Sequence, residues 1–450
     1  MTMNEQNQTT RRKIITGALI AFFILPSPAF LRAADDGLTL QAAIQTAMAR
    51  NEQALAADAK VAAAEAPVMR ARAYFLPNIT ASGSYTRRPY EVVRIVGNSQ
   101  LVAQSFNALS GVAQLNMILF DAHSLPTLNQ ARAEQRSTAY SSAEIKRQLA
   151  FQVSNAFLAT LGSDQVLQAA KHRFDYAQQA LAAAKARYAA GLVSSNDVTR
   201  AELEYASSEL AITQTTNQVE TSYLDLGYIL DEPQPVGRKL VVPDFLIQAA
   251  AMEPVAAERL ITEAQNRRLD LNSLRLHAEA QHAIILEPSL KWLPSLNLSA
   301  QYRYTNEAGL TGLNTNWNAG LSLSWSLFDG LNRNADYAER KSLAYQADLN
   351  VQASLRGIEL DVRDALVSLK NQRAALRQAQ VAYDMAKQNA QEVAELYRQG
   401  LSSVLQVADA NRQLYDAEVS LVRQRYSLGI AYLDFEAALG LDPFGKEPKI

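Results

Sequence analysis

Residues 397–405 read YRQGLSSVL, and this segment interrupts a very long helical pattern that resumes directly after it. Residues 188–195, YAAGLVSS, interrupt the pattern in the same way, with Gly191 in the place of Gly400. A glycine after a long helix adopts the left-handed conformation without steric penalty, and the serines after it can accept hydrogen bonds from the first N–H groups of a new helix. Each segment is therefore predicted to be the tip of a helical hairpin.

The two tips belong to an internal repeat. The motif WLP at 292–294 corresponds to FLP at 75–77, LFD at 327–329 to LFD at 119–121, and YLD at 432–434 to YLD at 223–225. Residues 231–254, between the halves, contain four prolines. This duplication predicts a first repeat of helix, two strands, long helix and return helix at 34–230 and a second repeat at 255–440. A linker at 231–254 connects them. A signal peptide is predicted at 1–33 and a C-terminal tail at 441–450.

Helices account for most of each repeat. The helical pattern runs from residue 124 to 190 with breaks only at Pro126 and Gly162. A helix of that length measures roughly 100 Å and belongs in a bundle or a coiled coil rather than in an ordinary globule. The last helix indicates coiled-coil packing, because its apolar positions recur every 3.5 residues or so. Other helices are predicted at 38–74, from 195 to about 230, and from 255 to 290.

Two-residue alternation predicts two strands in each repeat. The alternating runs lie at 78–85, 109–119, 296–304 and 317–327, and a polar loop is expected between the first two. One interpretation is a soluble antiparallel sheet with one buried face. The other is a transmembrane barrel, whose strands need about 9–11 residues and carry Tyr and Trp at their ends. The signal peptide and the helix length favour the barrel.

The number of strands in one chain indicates how many chains are needed to close a barrel. Four strands per chain cannot close a barrel, and an open sheet edge is not tolerated in lipid. Two chains would give eight strands, whose interior is filled by side chains, whereas three would give twelve and leave a lumen. A channel therefore predicts a trimer.

Composition and the N-terminus exclude other classes of function. The chain has 450 residues, a formal net charge of −2 and no cysteine, so neither a nucleic-acid partner nor a thiolate or disulfide site is expected. Arg11, Arg12 and Lys13 precede an apolar run at 14–25. That run is shorter than the roughly 20 residues of a spanning helix, which favours a signal peptide over a membrane anchor.

Motifs that carry chemistry are missing from the sequence. It contains no phosphate-binding glycine loop and no nucleophile elbow, and His277 and His282 are five residues apart rather than the four of a zinc-binding helix. We therefore expect no enzyme activity, no cofactor and no metal site.

The duplicated layout resembles the TolC-type outer-membrane efflux channels over essentially the whole mature chain. The resemblance depends most on residues 397–405, continuing through 409–412, and on residues 187–192, continuing through Asp197 and Val198. It implies a mixed α/β membrane protein, a homotrimer whose 12-stranded transmembrane β-barrel, four strands per chain, lies among outer-membrane lipid and continues as a long α-helical coiled-coil tunnel in the periplasm.

The same resemblance implies a role in export. The linker and the C-terminal tail would form a belt around the tunnel. The tips would close the tunnel at rest and dock a periplasmic adaptor, or membrane fusion protein, that connects the channel to an inner-membrane transporter. Such a channel serves a tripartite efflux or type I secretion system, and its substrate passes through without chemistry.

Individual site residues follow from the resemblance as well. Asp197 and Tyr397 match positions of the network that closes the tunnel, and Asp409 matches one of two acidic positions that ring its narrowest point. The second acidic position falls on Gln406 and a basic gate position falls on Ser402, so this gate is less charged than the family pattern. The tip positions that contact the adaptor fall on Gly191, Leu192, Gly400 and Leu401.

Two alternatives remain open from the sequence. A soluble periplasmic coiled-coil scaffold or adaptor protein would explain the helices equally well, although it would not explain the strands. Asp409 could also be a solvated aspartate on a helix face, whereas three copies around a narrow pore would attract cations.

Overall fold

The computed structural model describes residues 37–96, 99–243, 245, 256–307 and 313–448. The predicted signal peptide and the end of the linker lie outside these residues. The first repeat contains α1 (Leu40–Arg50), α2 (Glu52–Ala73), β1 (Asn78–Arg87), β2 (Val92–Val96), β3 (Ser99–Gln104), β4 (Asn107–Phe120), α3 (Ser124–Ala189) and α4 (Ser195–Leu230). The second contains α5 (Ala257–Arg267), α6 (Leu269–Ile284), α7 (Glu287–Leu290), β5 (Ser295–Thr305), β6 (Thr315–Ser324), α8 (Asn332–Arg398) and α9 (Val404–Ala438).

Strands β1, β4, β5 and β6 form one antiparallel sheet in that order. Rows of residues that face each other across the four strands alternate between apolar and polar. One row is Ile79, Leu115, Ala300 and Ala319, and the next is Thr80, Gln114, Gln301 and Asn318. Neighbouring residues of a strand point to opposite faces, so the sheet has one apolar face and one polar face. The four predicted strands are thus confirmed, although the last ends at Ser324 and not at residue 327.

A second sheet, the hairpin of β2 and β3, occupies the segment expected to be a polar loop. That expectation was wrong. Val92, Val93 and Ile95 have the β-branched side chains that favour strands. The hairpin lies at the end of the main sheet that is remote from the helices, where Glu307 accepts hydrogen bonds from Arg88 and from the backbone N–H of Ser105.

The long helices pack side by side in the order α4, α3, α9, α8. The two hairpins, α3–α4 and α8–α9, meet at their tips in a small core. That core contains Ala184, Ala201, Tyr397, Val404 and Val407. The predicted coiled-coil packing of the last helix is confirmed, since Val407, Ala410, Leu428 and Phe435 of its stripe are buried. Consequently α4 and α8 are the outer helices of the layer.

Several predicted helix boundaries were wrong. The helix predicted at 38–74 is broken at Asn51, whose side chain accepts a hydrogen bond from Gln53 N and donates one to Ile229 O, both at 2.9 Å. The helix predicted at 255–290 is broken at Arg268 and again before α7. Conversely, α3 is continuous through Pro126 and Gly162. Pro126 is tolerated because an N–H in the first turn has no helical partner anyway.

Polar contacts tie the ends of the repeats together near the middle of the helices. Leu38 N donates to Lys239 O at 2.8 Å, and Val241 N donates to Leu38 O at 3.0 Å. The described part of the linker therefore packs against the segment that precedes α1.

An ion pair lies at the break between α5 and α6. Burial alone would raise the pKa of Asp270, but the hydrogen-bonded guanidinium of Arg268 more than offsets this effect, so that the pKa of Asp270 is lowered.

The turn from β6 into α8 surrounds Arg333, whose side chain is only 4% exposed. Its guanidinium bonds the Asp329 carboxylate at 2.8 Å and donates to the carbonyl oxygens of Lys291 at 3.1 Å and Ser326 at 2.9 Å. It also lies 3.9 Å from the ring centroid of Trp292. One side chain thus joins the start of α8 to both segments that flank the sheet.

Within the residues listed above, no helix has both the length and the apolar character to cross a membrane.

Candidate functional site

The two hairpin tips share one backbone geometry. Gly191 and Gly400 have φ of 71° and 81°, in the left-handed region. In the first tip, Leu192 N donates to Arg187 O at 2.9 Å, and in the second Leu401 N donates to Leu396 O at 2.8 Å. These bonds, with those of the glycine N–H groups three residues back, form Schellman motifs that satisfy the last helical carbonyls. The sequence prediction of two glycine-capped tips is confirmed.

Capping interactions begin the return helices. At α4, the Asp197 carboxylate accepts from Ser194 N at 3.1 Å and from the Ser194 hydroxyl at 3.0 Å. At α9, Gln406 Oε1 accepts from Ser403 N and from the Ser402 hydroxyl, both at 2.9 Å. Asp197, Ser402 and Gln406 therefore stabilise the tips themselves, and a role for them in the gate stays a prediction.

Tyr397 is buried at the tip, with only 7% of its surface exposed, and it contacts the other hairpin through Arg187. The Arg187 guanidinium lies 4.2 Å from the Tyr397 ring centroid. It also donates to Tyr397 O at 2.5 Å and to Arg398 O at 3.2 Å. These carbonyls end α8, where the helix dipole attracts a cation. Arg187 thus links the two hairpins of one chain.

On the side of this link away from the tips, a cavity of about 610 Å³ lies between α3, α8 and α9. Its lining includes Tyr176, Tyr383, Tyr397 and Lys387. At the level of the tips, the Arg187 contact and the small core around Tyr397 join the two hairpins.

Arg187 belongs to the motif of the first tip, residues 187–192, but the sequence alone predicted no role for it. Comparison of the two repeats gives no sign of this contact. Arg187 corresponds to Leu396 of the second tip, and Tyr397 corresponds to Tyr188, which is exposed. An available signal was a cation in the last turn of a helix beside an aromatic-rich tip.

Asp409 lies in the second turn of α9, beyond the tip. Its carboxylate pairs with Arg412 at 2.7 Å and accepts from Gln413 at 2.8 Å. All three side chains are on the surface of the helix. Among the described residues of one chain, no hydrogen bond or ion pair joins Asp409 to Asp197 or Tyr397, so any ring of carboxylates depends on other copies.

Opposite changes at this pair should shift ion selectivity in opposite directions. Asp409→Asn removes the negative charge and is expected to weaken cation preference, whereas Arg412→Ala frees the carboxylate and should strengthen it. Reversal potentials in planar bilayers under a salt gradient measure both effects. If neither substitution changes the reversal potential, Asp409 does not line the narrow part of the pore.

Each tip presents one exposed leucine. Leu192 is 74% exposed and Leu401 is 71% exposed, directly after the capping glycines. These leucines stand at the tip positions to which the resemblance assigns adaptor contact, and that role stays a prediction.

Histidines in this chain pair with carboxylates between helices. His172 pairs with Glu418, His277 with Glu134, and His282 with Asp348. Within the described ranges, no group of three or more His, Cys, Asp or Glu residues is arranged to hold a metal ion.

Comparison with known proteins agrees with this geometry. The family model described as outer membrane efflux protein matches residues 43–230 and 260–441. Outer membrane protein TolC of Vibrio cholerae is 24% identical over 394 residues, 86% of this chain and 87% of that protein.

Solved structures show the same fold. A crystal structure of CusC superposes with a TM-score of 0.76 at 17% identity, covering 89% of this chain and 92% of CusC. The Campylobacter jejuni CmeC outer membrane channel superposes with a TM-score of 0.75 at 16% identity, covering 92% of this chain and 88% of CmeC.

Proposed function

The chain belongs to the outer membrane efflux protein family, and from this premise we propose that three copies form a channel whose tips dock a periplasmic adaptor of an efflux or secretion system. The protein is an outer-membrane efflux channel, and its family consists of channels. The proposal adds the trimer, the adaptor, the inner-membrane transporter and the passage of substrate without chemistry. It also keeps the segment limits 34–230, 231–254, 255–440 and 441–450 as the structural units.

The observation that carries the proposal is the exposed sheet. Its apolar face includes Ile79, Trp317 and Leu321, each more than half exposed, and among the described strands its edge strands β1 and β6 are paired on one side only. An apolar face and two open edges are unfavourable in water. Lipid on the apolar face and pairing of β1 with β6 of another copy would satisfy both, and three copies give twelve strands.

The helical part supports a long periplasmic tunnel. Helices α3 and α8 contain 66 and 67 residues, or roughly 100 Å each. With the sheet in the outer membrane, the tips are the part of the chain most remote from it. They are therefore placed to meet an adaptor, which links the tunnel to an energised transporter.

The soluble scaffold, the alternative from the sequence, does not account for the sheet. It is also at odds with membership of an outer-membrane family. We therefore do not retain it.

Changing the tip leucines to aspartate should abolish export. Leu192→Asp and Leu401→Asp keep the glycine caps but place a charge on the surface that docks the adaptor, and burying an unpaired charge costs several kcal/mol. The expected result is loss of substrate export from cells, together with a normal amount of trimer in the outer membrane and normal conductance in bilayers.

Two controls make this test specific. Leu55→Asp changes an exposed leucine of α2, away from the tips, and Leu401→Met keeps the tip apolar, so both variants should export normally. Export that persists in both tip aspartate variants would contradict docking at the tips. Loss of the trimer would instead show that the substitution disturbs assembly.

A further inference from the structure

The cavity between α3, α8 and α9, which we call the tip cavity, has the form of a trough within one chain. Its lining on α9 is Val407, Asn411, Leu414 and Glu418, which recur every three or four residues and so share one face of that helix. Because α9 packs between α3 and α8, it forms the floor, and the other two helices form the walls. From Val407 to Glu418 the floor is roughly 16 Å long.

Aromatic side chains line both walls of the tip cavity. Tyr176 stands on α3, and Tyr383 and Tyr397 stand on α8. The other apolar residues of the walls are alanines, namely Ala180, Ala183, Ala390 and Ala394. Their short side chains leave the space between the tyrosines open. Its volume of about 610 Å³ lies within the range of roughly 300–1,000 Å³ that is usual for pockets that bind small molecules.

One cation of the tip cavity has no anionic partner among the described residues. The ammonium group of Lys387 lies 5.9 Å from the Tyr383 ring centroid, and no carboxylate of the described part of the chain forms an ion pair with it. The other lysine or arginine of the lining, Arg398, pairs with Glu395 of its own helix. Lys387 is therefore placed to bind an anion that enters from outside the chain.

The carboxylate of the lining is already paired. Glu418 forms an ion pair with His172 across the cavity floor and the α3 wall, with 3.3 Å between Oε1 and Nδ1. It is therefore less available to a cationic ligand than Lys387 is to an anionic one. The charges of the cavity favour an anion.

A buried hydroxyl group at the end of the cavity nearest the tips also lacks a partner. Tyr397 lines the cavity and is only 7% exposed, and its hydroxyl forms no hydrogen bond with the described residues. Leaving a buried donor without an acceptor is unfavourable. An oxygen atom supplied by a ligand would satisfy this hydroxyl.

We propose that the tip cavity binds an elongated aromatic molecule that carries an acidic group, such as an aromatic carboxylate. The acidic group pairs with the Lys387 ammonium, because a hydrogen bond between two charged groups is stronger than one between neutral groups. The rings pack against Tyr176 and Tyr383, in the offset or edge-to-face arrangements that aromatic pairs prefer. An oxygen atom at the opposite end of the ligand accepts from Tyr397.

The ligand contacts both hairpins, because α3 belongs to the first and α8 and α9 to the second. All the residues of the site come from one chain. The inference therefore goes beyond the proposed function and does not depend on the trimer or on the adaptor.

Photolabelling with two benzophenones of opposite charge tests the site. 4-Benzoylbenzoate is an aromatic carboxylate, and (4-benzoylbenzyl)trimethylammonium carries the same rings with a positive charge. Each probe is irradiated with the protein purified from outer membranes, and the labelled peptides are located by mass spectrometry. We expect saturable labelling by the anion within residues 172–183 and 383–398, suppression of that labelling by excess 2-naphthoate, and several-fold weaker labelling by the cation.

Replacing Lys387 with methionine should raise the concentration of 4-benzoylbenzoate needed for half-maximal labelling by about tenfold. This is the factor expected for loss of one hydrogen bond to a charged group. The matched control is Lys370→Met, which changes an exposed lysine of α8 outside the cavity lining and should label like the natural protein.

Replacing Tyr176 tests the aromatic wall. Tyr176 is 45% exposed, so that its replacement is compatible with folding. Tyr176→Ala should weaken labelling several-fold, whereas Tyr176→Phe keeps the ring and should label normally. Equal weakening by both substitutions would contradict packing of the ligand against this ring.

The comparison of the two probes on the natural protein needs no substitution. Equal or stronger labelling by the cation, or no change in Lys387→Met, would overturn the anion site. Absence of saturable labelling in the cavity would also overturn the inference and leave this space to a protein partner or to solvent. The export assay of the tip leucine variants uses neither probe, so failure of the site and failure of the proposed function are recognised separately.

Discussion

Replacing Arg187 with methionine is expected to leave the channel open. Methionine keeps the apolar contact with Tyr397 but removes the charge and both hydrogen bonds to the end of α8. A hydrogen bond to a charged group contributes roughly 1.5–3 kcal/mol, and each 1.4 kcal/mol or so shifts an equilibrium tenfold. If the tips close the tunnel at rest, the open population should rise by at least about tenfold.

Single-channel recording in planar bilayers measures this change as a higher open probability. Cells that carry the variant should also become sensitive to large antibiotics that the outer membrane normally excludes. The matched control is Arg398→Met, because that side chain is highly exposed and, within the described ranges, its ion pair is with Glu395 of its own helix. Closed-channel behaviour in the Arg187 variant would show that this contact does not hold the tips.

Replacing Arg333 with methionine is expected to remove most of the folded protein from the outer membrane. The change leaves the carbonyl groups of Lys291 and Ser326 without their donor, and it leaves Asp329 without its ion pair. Breaking a hydrogen-bond network around a side chain that is only 4% exposed is one of the recognised causes of large destabilisation by a single substitution, and folded proteins typically have only roughly 5–15 kcal/mol of stability in total.

Thermal unfolding in detergent and the amount of trimer in outer membranes measure this loss. Arg333→Lys should have an intermediate effect, since an ammonium keeps the charge but cannot make three divergent hydrogen bonds and stack on Trp292. Arg259→Met is the matched control, because Arg259 is exposed and its ion pair in the described part of the chain is a surface pair with Glu263. A normal melting temperature and normal trimer level for Arg333→Met would refute the role of this residue.

Predictions from the sequence succeeded where the structure is local and repetitive. The glycine tips, the long helices and the four strands of the main sheet each depend on short-range periodicity or on one capping residue. Errors arose where a single contact between distant residues determines where a helix ends. Asn51 breaks a helix because it bonds Ile229, in the distant return helix of the same repeat, and no periodicity reveals such a contact.

Roles of site residues were less predictable. The resemblance assigned Tyr397 to the network that closes the tunnel, and that role stays a prediction. The contact that holds Tyr397 in the tip comes from Arg187, 210 residues earlier. Likewise, Gln406 and Ser402 appeared only as departures from a charged gate. The structure shows that Gln406 forms the capping box of α9 with Ser403, and that the Ser402 hydroxyl donates to Gln406.

The sequence by itself determined the duplicated architecture, the two tips and the alternation of the strands, because backbone preference and side-chain period act over a few residues. Only the tertiary structure decided which side chains meet between the repeats, such as Arg187 with Tyr397. It also decided which long helices lie at the outside of the layer, namely α4 and α8. The physical reason is that burial is a property of packed helices, and a periodic pattern specifies a face without specifying its neighbour.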